Sequence, residues 1–169
     1  MSVREVVKYP DPRLKEVCAP VGLTGPAGDD IERIAHDLLE TMSSFPGCVG
    51  IAAPQIGELV RLCAVDVTGH KRAKSCHGRR LLFDPEVIGR EGSVQMREGC
   101  LSIPDFTGNV TRAEQIVVRA QGLDGEFFEM ECDAYEARVV LHELDHLDGL
   151  LFLDRVQHAR DVFPRKRYQ

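Results

Sequence analysis

Two histidines stand four residues apart in the segment His142-Glu143-Leu144-Asp145-His146. Residues with this spacing on a helix lie on one face about one turn apart, so both imidazoles can bind the same metal ion. Glu143 is rotated about 100° around the helix, which puts its carboxylate beside such a metal and not on it. The pattern predicts a metal that lowers the pKa of a bound water, with a carboxylate close enough to take the proton.

The third protein ligand of this metal is not evident from the helix itself. A catalytic site of this type takes three protein ligands and keeps one position open. In the extended metallopeptidase pattern a third histidine comes six residues after the second. Here that position is Phe152, and no glutamate follows Glu143. We therefore expect an upstream thiolate, which Cys63, Cys100 or Cys132 could supply. Cys100 is favoured because its glycine neighbour permits close approach of the backbone.

The helix that must carry the two histidines is indicated by its flanking residues. Asp133 and Glu136 have the spacing of a capping box. Ala134–Leu147 contains neither Gly nor Pro, and Gly149 stands where a helix would end. The charged residues could form a solvated face, but apolar residues surround them on nearly every side, which favours buried polar groups with strong partners. Asp145 is expected to orient a histidine or to hold the helix in place.

Upstream of this helix, the pattern predicts one scaffold helix and several strands. Apolar residues three and four apart predict a helix over residues 30–44. Strands are predicted over residues 60–67 and 81–88, and a hairpin over residues 115–131. Pro85 predicts an edge position for the 81–88 strand, and Asp124-Gly125 predicts the hairpin turn.

The composition indicates one globular domain over residues 1–169. The chain is 43% hydrophobic with a formal charge of −6, which supports a sizeable core and argues against direct nucleic-acid binding. No apolar run reaches the roughly 20 residues of a membrane span, and the charged N-terminus has no signal-peptide core. We therefore expect a cytoplasmic protein without membrane contact. The six cysteines form no CxxC pair, so most are expected to be buried hydrophobic residues.

A loop rich in lysine and arginine is predicted over residues 68–80. It contains His70, Cys76 and His77, which raise the alternative of a second metal site. Their irregular spacing disfavours that alternative.

Three segments, taken together, resemble the peptide deformylase family. They are Gly-Ile-Ala-Ala-Pro-Gln at 50–55, Glu-Gly-Cys-Leu-Ser at 98–102 and His-Glu-Leu-Asp-His at 142–146. Their order and approximate separations match that family from about residue 9 to about residue 154. The resemblance implies an α+β fold in which antiparallel β-sheets surround a central metal-binding helix, with the 30–44 helix packed outside.

The resemblance also implies a role for each matching residue. The implied metal ligands are Cys100, His142 and His146. The implied catalytic groups are the acid/base Glu143, the side chain of Gln55 and the backbone N–H of Leu101, the last two as donors to the oxyanion. Gly50 matches a residue whose backbone pairs with the bound peptide.

The implied reaction is hydrolysis of the N-formyl group from the N-terminal methionine of a new polypeptide, with release of formate. The implied cofactor is one Fe²⁺ per chain, which Zn, Ni or Co could replace because Fe²⁺ binds more weakly than these to a given site. The formylmethionyl polypeptide is the expected partner. The ribosome is a further candidate, although the tail after Asp154 is short compared with members that carry a long C-terminal helix.

The methionine side chain requires an apolar pocket. Tyr135 and Val139 share a helical face with His142, and they are predicted to line the pocket with Val49. Arg138, on a neighbouring strip, is expected at its rim.

Two positions depart from the family pattern. Cys48 replaces the first glycine of the first motif, where its thiol could reshape the entrance or oxidise, and Leu141 stands where many members have glutamine. Two alternatives remain open at this stage: a metallopeptidase, and a family member that keeps only a structural metal.

Overall fold

The computed structural model of the chain describes residues 2–165. The basic residues at the C-terminus predict an exposed tail over residues 165–169, of which residues 166–169 lie outside the described range. The helices are α1 (Asp29–Ser44), α2 (Ala134–Leu147) and the short α3 (Phe152–Arg155). The strands are β1 (Gly50–Ala52), β2 (Leu62–Val65), β3 (Arg80–Glu91), β4 (Val94–Cys100), β5 (Ile103–Arg112), β6 (Gln115–Gln121), β7 (Phe127–Asp133) and β8 (Val162–Pro164).

The strands form two antiparallel sheets. The larger has the order β1-β2-β3-β6-β7 and the smaller the order β4-β5-β8. With two long helices beside them, these sheets confirm the predicted α+β class. The hairpin of β6 and β7 turns at Gly125, whose φ of 81° suits glycine, as predicted.

The predicted edge position of the 81–88 strand is wrong. β3 pairs with β2 on one side and β6 on the other. Asp84 adopts a φ of 47°, and the register with β6 shifts between Phe83 and Glu86. This irregularity lets Pro85, which has no N–H to donate, stand within an interior strand.

α2 has the bounds that the sequence predicted, but not the predicted cap. Its N-cap is Asp133, whose side chain makes no capping bond and instead accepts a hydrogen bond from Ser75 N–H at 2.9 Å. Glu136 also turns to the 68–80 loop and does not reach back to the cap. α2 contacts β1 and β2 along its length and β6 and β7 near its start, so nearly all its residues are buried.

α1 begins one residue earlier than predicted and packs against β1 and β2 on its apolar face. It contributes Leu38 and Met42 to a second apolar cluster beside Phe83. Within residues 2–165, none of the helices has the length and apolar character that a membrane crossing requires.

Candidate active site

A cleft of about 270 Å³ opens between α2, the β1 segment and the end of β4. β1 and β4 each lie at an edge of their sheet, so the cleft lies between one edge of each sheet, beside α2. Nine of the ten predicted site residues line it, and the tenth, His146, is buried behind them. The nine are Val49, Gly50, Gln55, Cys100, Leu101, Tyr135, Val139, His142 and Glu143. The structure therefore brings the three motifs to one place.

Cys100, His142 and His146, which we call the cleft cluster, present one ligand atom each within 4.8 Å of one another. Cys100 Sγ lies 3.4 Å from His146 Nε2. Burial disfavours the Cys100 thiolate, but the two histidines beside it lower the pKa of the thiol well below its ordinary value. A thiolate and two imidazoles are good ligands for Zn²⁺ or Fe²⁺, so this donor set fits a transition metal.

His142 is oriented by Glu98. Its Nδ1 lies 2.8 Å from a Glu98 oxygen, which leaves Nε2 free for the cleft. Glu98 also accepts hydrogen bonds from Arg112, at 2.6 and 3.0 Å, and from Arg138. Burial alone would raise the pKa of Glu98, but its histidine and arginine partners lower it to about 2. Glu98 is therefore an anion at neutral pH behind His142, an arrangement that is common behind histidines that bind metals.

Within residues 2–165, Asp145 forms no side-chain hydrogen bond with a histidine, contrary to one of its two expected roles. It accepts hydrogen bonds from Arg112 Nη1 at 2.8 Å and from Arg155 Nη2 at 2.9 Å. Arg112 thus ties Asp145 on α2 to Glu98 on β4, and Asp145 holds the helix in place.

Glu143 is 4% exposed, and its Oε2 has no hydrogen-bond partner among the described residues. Burial raises the pKa of its carboxyl to about 7, although the adjacent histidines act in the opposite direction. A Cβ on Gly50 would lie 2.7 Å from Glu143 Oε1, which explains why this position requires glycine. Glu143 therefore has the free oxygen and the pKa of a proton acceptor that works near neutral pH.

Gln55 lies on a single 3₁₀ turn after β1 and is 2% exposed. Its Oε1 accepts the Ala52 N–H at 2.9 Å, which fixes the amide so that Nε2 faces the cleft cluster. Nε2 lies 3.1 Å from Ser102 Oγ and 3.5 Å from Cys100 Sγ. Leu101 follows Cys100 at the turn between β4 and β5.

The apolar part of the cleft contains Val49, Tyr135 and Val139, as predicted. The Tyr135 ring stacks on His70 at 4.0 Å between centroids, so the 68–80 loop buttresses this wall. Arg138 lines the cleft, as predicted, but it is only 2% exposed and so belongs to the wall of the cleft and not to an open rim. Its guanidinium turns inward because Glu98 and backbone carbonyl groups accept its N–H bonds.

The two departures from the family pattern occupy different environments. Cys48 lies half-buried at the cleft, and its thiol donates to the Gly50 carbonyl at 3.2 Å. Burial raises its pKa to about 11, so the thiol stays protonated at neutral pH and is less prone to oxidation than expected. Leu141, which is on α2, packs in the apolar core.

A second group, His77, Cys132 and Glu136, also brings three ligand atoms within 4.8 Å. We call it the loop cluster. It includes one histidine of the predicted alternative metal site, but neither His70 nor Cys76. Glu136 accepts hydrogen bonds from Ser75 Oγ at 2.8 Å and from the His77 backbone at 2.8 Å, and lies 2.7 Å from His77 Nδ1. The group joins the 68–80 loop to the first turn of α2.

Several side chains at the site were not identified from the sequence. Ser102, Arg112 and Arg155 contact the predicted residues, and Arg97 and Arg165 line the cleft. Ser102 is the last residue of the motif at 98–102, and its place in that motif was the one sequence signal that could have identified it. The arginines meet their partners over long sequence separations, which no local pattern reports.

The chain is similar to known proteins along most of its length. Residues 3–162 match the family model described as Polypeptide deformylase. Peptide deformylase of Acidobacterium capsulatum is 42% identical over 98% of this chain and 94% of its own length, and that of Alkalilimnicola ehrlichii is 43% identical over 100% and 90%. The solved structure of the Met-Ala-Ser-bound class I type b peptide deformylase from Acinetobacter baumannii superposes with a TM-score of 0.82, 33% identity and coverage of 92% and 100%.

Proposed function

Since the chain belongs to the polypeptide deformylase family, it is a metal-dependent hydrolase that removes the formyl group from newly made polypeptides, and we propose how its residues do so. Cys100, His142 and His146 hold the metal. Glu143 is the acid/base, and Gln55 with the Leu101 N–H stabilises the oxyanion. The observation that carries this proposal is Glu143, a buried carboxylate beside the cleft cluster with one unpaired oxygen and a pKa of about 7.

The metal we propose is Fe²⁺, one per chain, with Zn, Ni or Co as substitutes. When bound, it supplies a Lewis acid that lowers the pKa of water toward ~7. Cys100 contributes a thiolate because the neighbouring histidines favour its charged form. His142 offers Nε2 because Glu98 holds Nδ1. Both features support a metal at this cluster.

Glu143 takes the proton of the attacking water through Oε2 and later gives it to the departing amine. The formyl carbonyl oxygen becomes an anion during attack, and the Gln55 amide N–H and the Leu101 N–H donate to it. The Ala52 N–H supports this role, because it holds Gln55 Oε1 and thereby aims the amide nitrogen at the cleft. Gly50 lies against Glu143, where its backbone can pair with the bound peptide.

The substrate is a polypeptide that begins with formylmethionine. Val49, Val139 and Tyr135 provide the apolar wall for the methionine side chain, and a tripeptide that begins with Met is bound in the similar Acinetobacter baumannii enzyme. Because new polypeptides begin in the cytoplasm, we place the enzyme there as a single catalytic domain over residues 1–169, with the ribosome as a further partner.

The test is formate release from formyl-Met-Ala-Ser by protein reconstituted anaerobically with Fe²⁺. The wild type is expected to release formate, and Glu143→Ala is expected to be slower by on the order of 10³-fold at equal metal content. Glu40→Ala, which removes an exposed glutamate of α1, is the matched control and should act like the wild type. Cleavage of unformylated Met-Ala-Ser would indicate a metallopeptidase instead, and metal-loaded protein that releases no formate would indicate a binding or structural role.

A further inference from the structure

Two arginines stand at the mouth of the cleft on the side of the smaller sheet. Arg97 and Arg165 both line the cleft and are both exposed. Among the described residues, the carboxylates that line it are Glu98 and Glu143, of which Glu98 is buried against two other arginines. Neither Arg97 nor Arg165 forms an ion pair with a carboxylate of residues 2–165. Within this range, the mouth therefore carries two positive charges that no carboxylate pairs with.

The guanidinium group of Arg97 is held in place by uncharged partners. Arg97 lies over the Phe163 ring, 3.6 Å from its centroid, and its Nε donates to Asn109 Oδ1 at 3.4 Å. Asn109 in turn donates to Asp161, so it separates this carboxylate from Arg97. Positioned guanidinium groups lose less side-chain entropy when they bind a carboxylate.

Arg165 follows β8, and its backbone N–H donates to the Asp105 carbonyl at 2.7 Å. Its side chain crosses to β4, where Nη2 would be 3.1 Å from a Cβ on Gly99. Alternate residues of a strand share a face, so positions 97 and 99 present both guanidinium groups on the same face of β4. The small size of Gly99, next to Cys100, leaves the space that Arg165 fills.

The position of these charges relative to the cleft cluster determines which part of a substrate they meet. Arg97 is three residues from Cys100 along β4, or about 10 Å at the rise of an extended strand. With the formyl group at the cleft cluster, an extended substrate that leaves along β4 passes Gly99 and then Arg97 at about its second to fourth residues. The whole chain carries a net charge of −6, so the positive mouth opposes the overall charge.

We propose that Arg97 and Arg165 form a cationic rim that selects formylmethionyl peptides with an acidic side chain at the second to fourth residue. This inference rests on the proposed function and adds the substrate class to it. Exposed charge contacts are individually weak, so two of them are expected to favour an acidic peptide about fivefold. The contacts lie away from the reacting atoms, so the preference should appear in KM and leave kcat nearly equal.

The experiment compares peptides that differ in one charge. Formyl-Met-Ala-Asp-Ala amide is matched with its Asn counterpart, and the Asp/Asn pair is then moved to positions 2 and 4. For at least one position, the wild type is expected to prefer Asp about fivefold in kcat/KM at low salt. The ratio of the two kcat/KM values should fall toward one near 1 M salt. At that concentration the Debye length is about 3 Å, so exposed charges are largely screened from each other.

Charge-altering variants assign the preference to the rim. The double variant Arg97→Gln/Arg165→Gln is expected to bring the Asp and Asn peptides within a factor of two of each other. The double variant Arg97→Glu/Arg165→Glu reverses both charges and is expected to favour a Lys peptide over its Asp counterpart. Arg119→Gln is the control, because Arg119 is exposed and stacks on Phe127 away from the cleft; it should keep the wild-type preference.

Equal kcat/KM for the Asp and Asn peptides at all three positions would overturn the proposed selectivity of the rim. The proposed function would still hold in that case, because formate is released. A preference that survives in the double variant would overturn the assignment to these two arginines. Absence of formate from every peptide would instead contradict the proposed function, and with it the rim.

Discussion

The cleft cluster and the loop cluster contain similar ligand types, and each takes part of its set from α2, but their surroundings differ. His142 and His146 lie in the second half of α2, and Glu136 of the loop cluster lies in its first turn. In the cleft cluster, neighbouring imidazoles lower the pKa of Cys100 well below its ordinary value. In the loop cluster, burial and the adjacent Glu136 raise the pKa of Cys132. Only the first environment prepares a thiolate for a metal.

The two clusters also differ in whether their buried polar atoms have hydrogen-bond partners. Beside the cleft cluster, Glu143 Oε2 and His146 Nδ1 are buried without partners among the described residues. In the loop cluster both oxygens of Glu136 accept hydrogen bonds from the 68–80 loop. An unpaired buried polar atom is costly, so it persists where chemistry requires it. Proximity of ligand types therefore does not identify a metal site unless charge and unsatisfied atoms agree.

The largest effect on stability is expected from the support behind the cleft cluster. Glu98→Gln would leave the buried Arg138 without its anion and Arg112 with Asp145 alone, and loss of one partner in a buried ion pair costs about 3–5 kcal/mol. The free energy of unfolding from urea denaturation measures this loss. Glu129→Gln removes an exposed carboxylate of β7 and should change it by less than about 0.5 kcal/mol. Equal stability of the two variants would contradict the supporting role.

The same carboxylate predicts a dependence of stability on pH. The pKa of Glu98 is about 2 in the folded chain and has an ordinary value of 4.5. Because folding lowers this pKa, its contribution is fully present above about pH 4.5 and is lost as the pH falls toward about 2. Glu98→Gln should therefore lose less stability than the wild type over this interval. Parallel stability curves for the two proteins would be inconsistent with this pKa.

The next largest effect is expected on the rate of the reaction in the cleft. Gln55→Ala removes the proposed side-chain donor to the oxyanion, and loss of one such donor typically lowers kcat by on the order of 10²-fold. Metal content should not change, because Gln55 is not in the ligand set. Formate release by metal-loaded protein checks this, with exposed Gln95→Ala as the control. A Gln55→Ala variant with the kcat of the wild type would remove Gln55 from the catalytic groups.

The smallest effect is expected from the loop cluster. His77→Ala removes one partner of Glu136 at a half-buried position, which should cost about 1–2 kcal/mol of unfolding free energy. Metal content and formate release of the folded protein should stay at the wild-type level. His36→Ala on α1 serves as control because His36 is more exposed. If His77→Ala lost metal, the loop cluster would be a second metal site after all.

The sequence predicted the parts of the site that depend on local spacing. The bounds of α2 and the shared face of its two histidines followed from helical periodicity and the glycine at its end. Glu136 shows where this reasoning failed, because its spacing from Asp133 fits a capping box, but three donors from the 68–80 loop compete for its carboxylate. A distant segment thus overrode a local preference.

The cysteine of the site could not be chosen from spacing alone. Cys100 is more than forty residues from the histidines in sequence. Its glycine neighbour favoured it, but Cys63 and Cys132 remained competing candidates until the resemblance and the fold were considered. The edge position assigned to β3 failed for a related reason. A proline excludes one backbone donor, but the irregular backbone at Asp84 accommodates it within the sheet. Both outcomes depend on which segments meet in three dimensions.

The assignment of the metal to the cleft cluster is tested most directly by metal content per chain in two matched variants. Cys100→Ser and Cys132→Ser each replace one buried thiol, and both proteins are reconstituted anaerobically with Fe²⁺ and freed of excess metal. The wild type and Cys132→Ser are expected to retain about one metal per chain, and Cys100→Ser to retain much less. Full retention by Cys100→Ser, or loss from Cys132→Ser, would contradict the assignment.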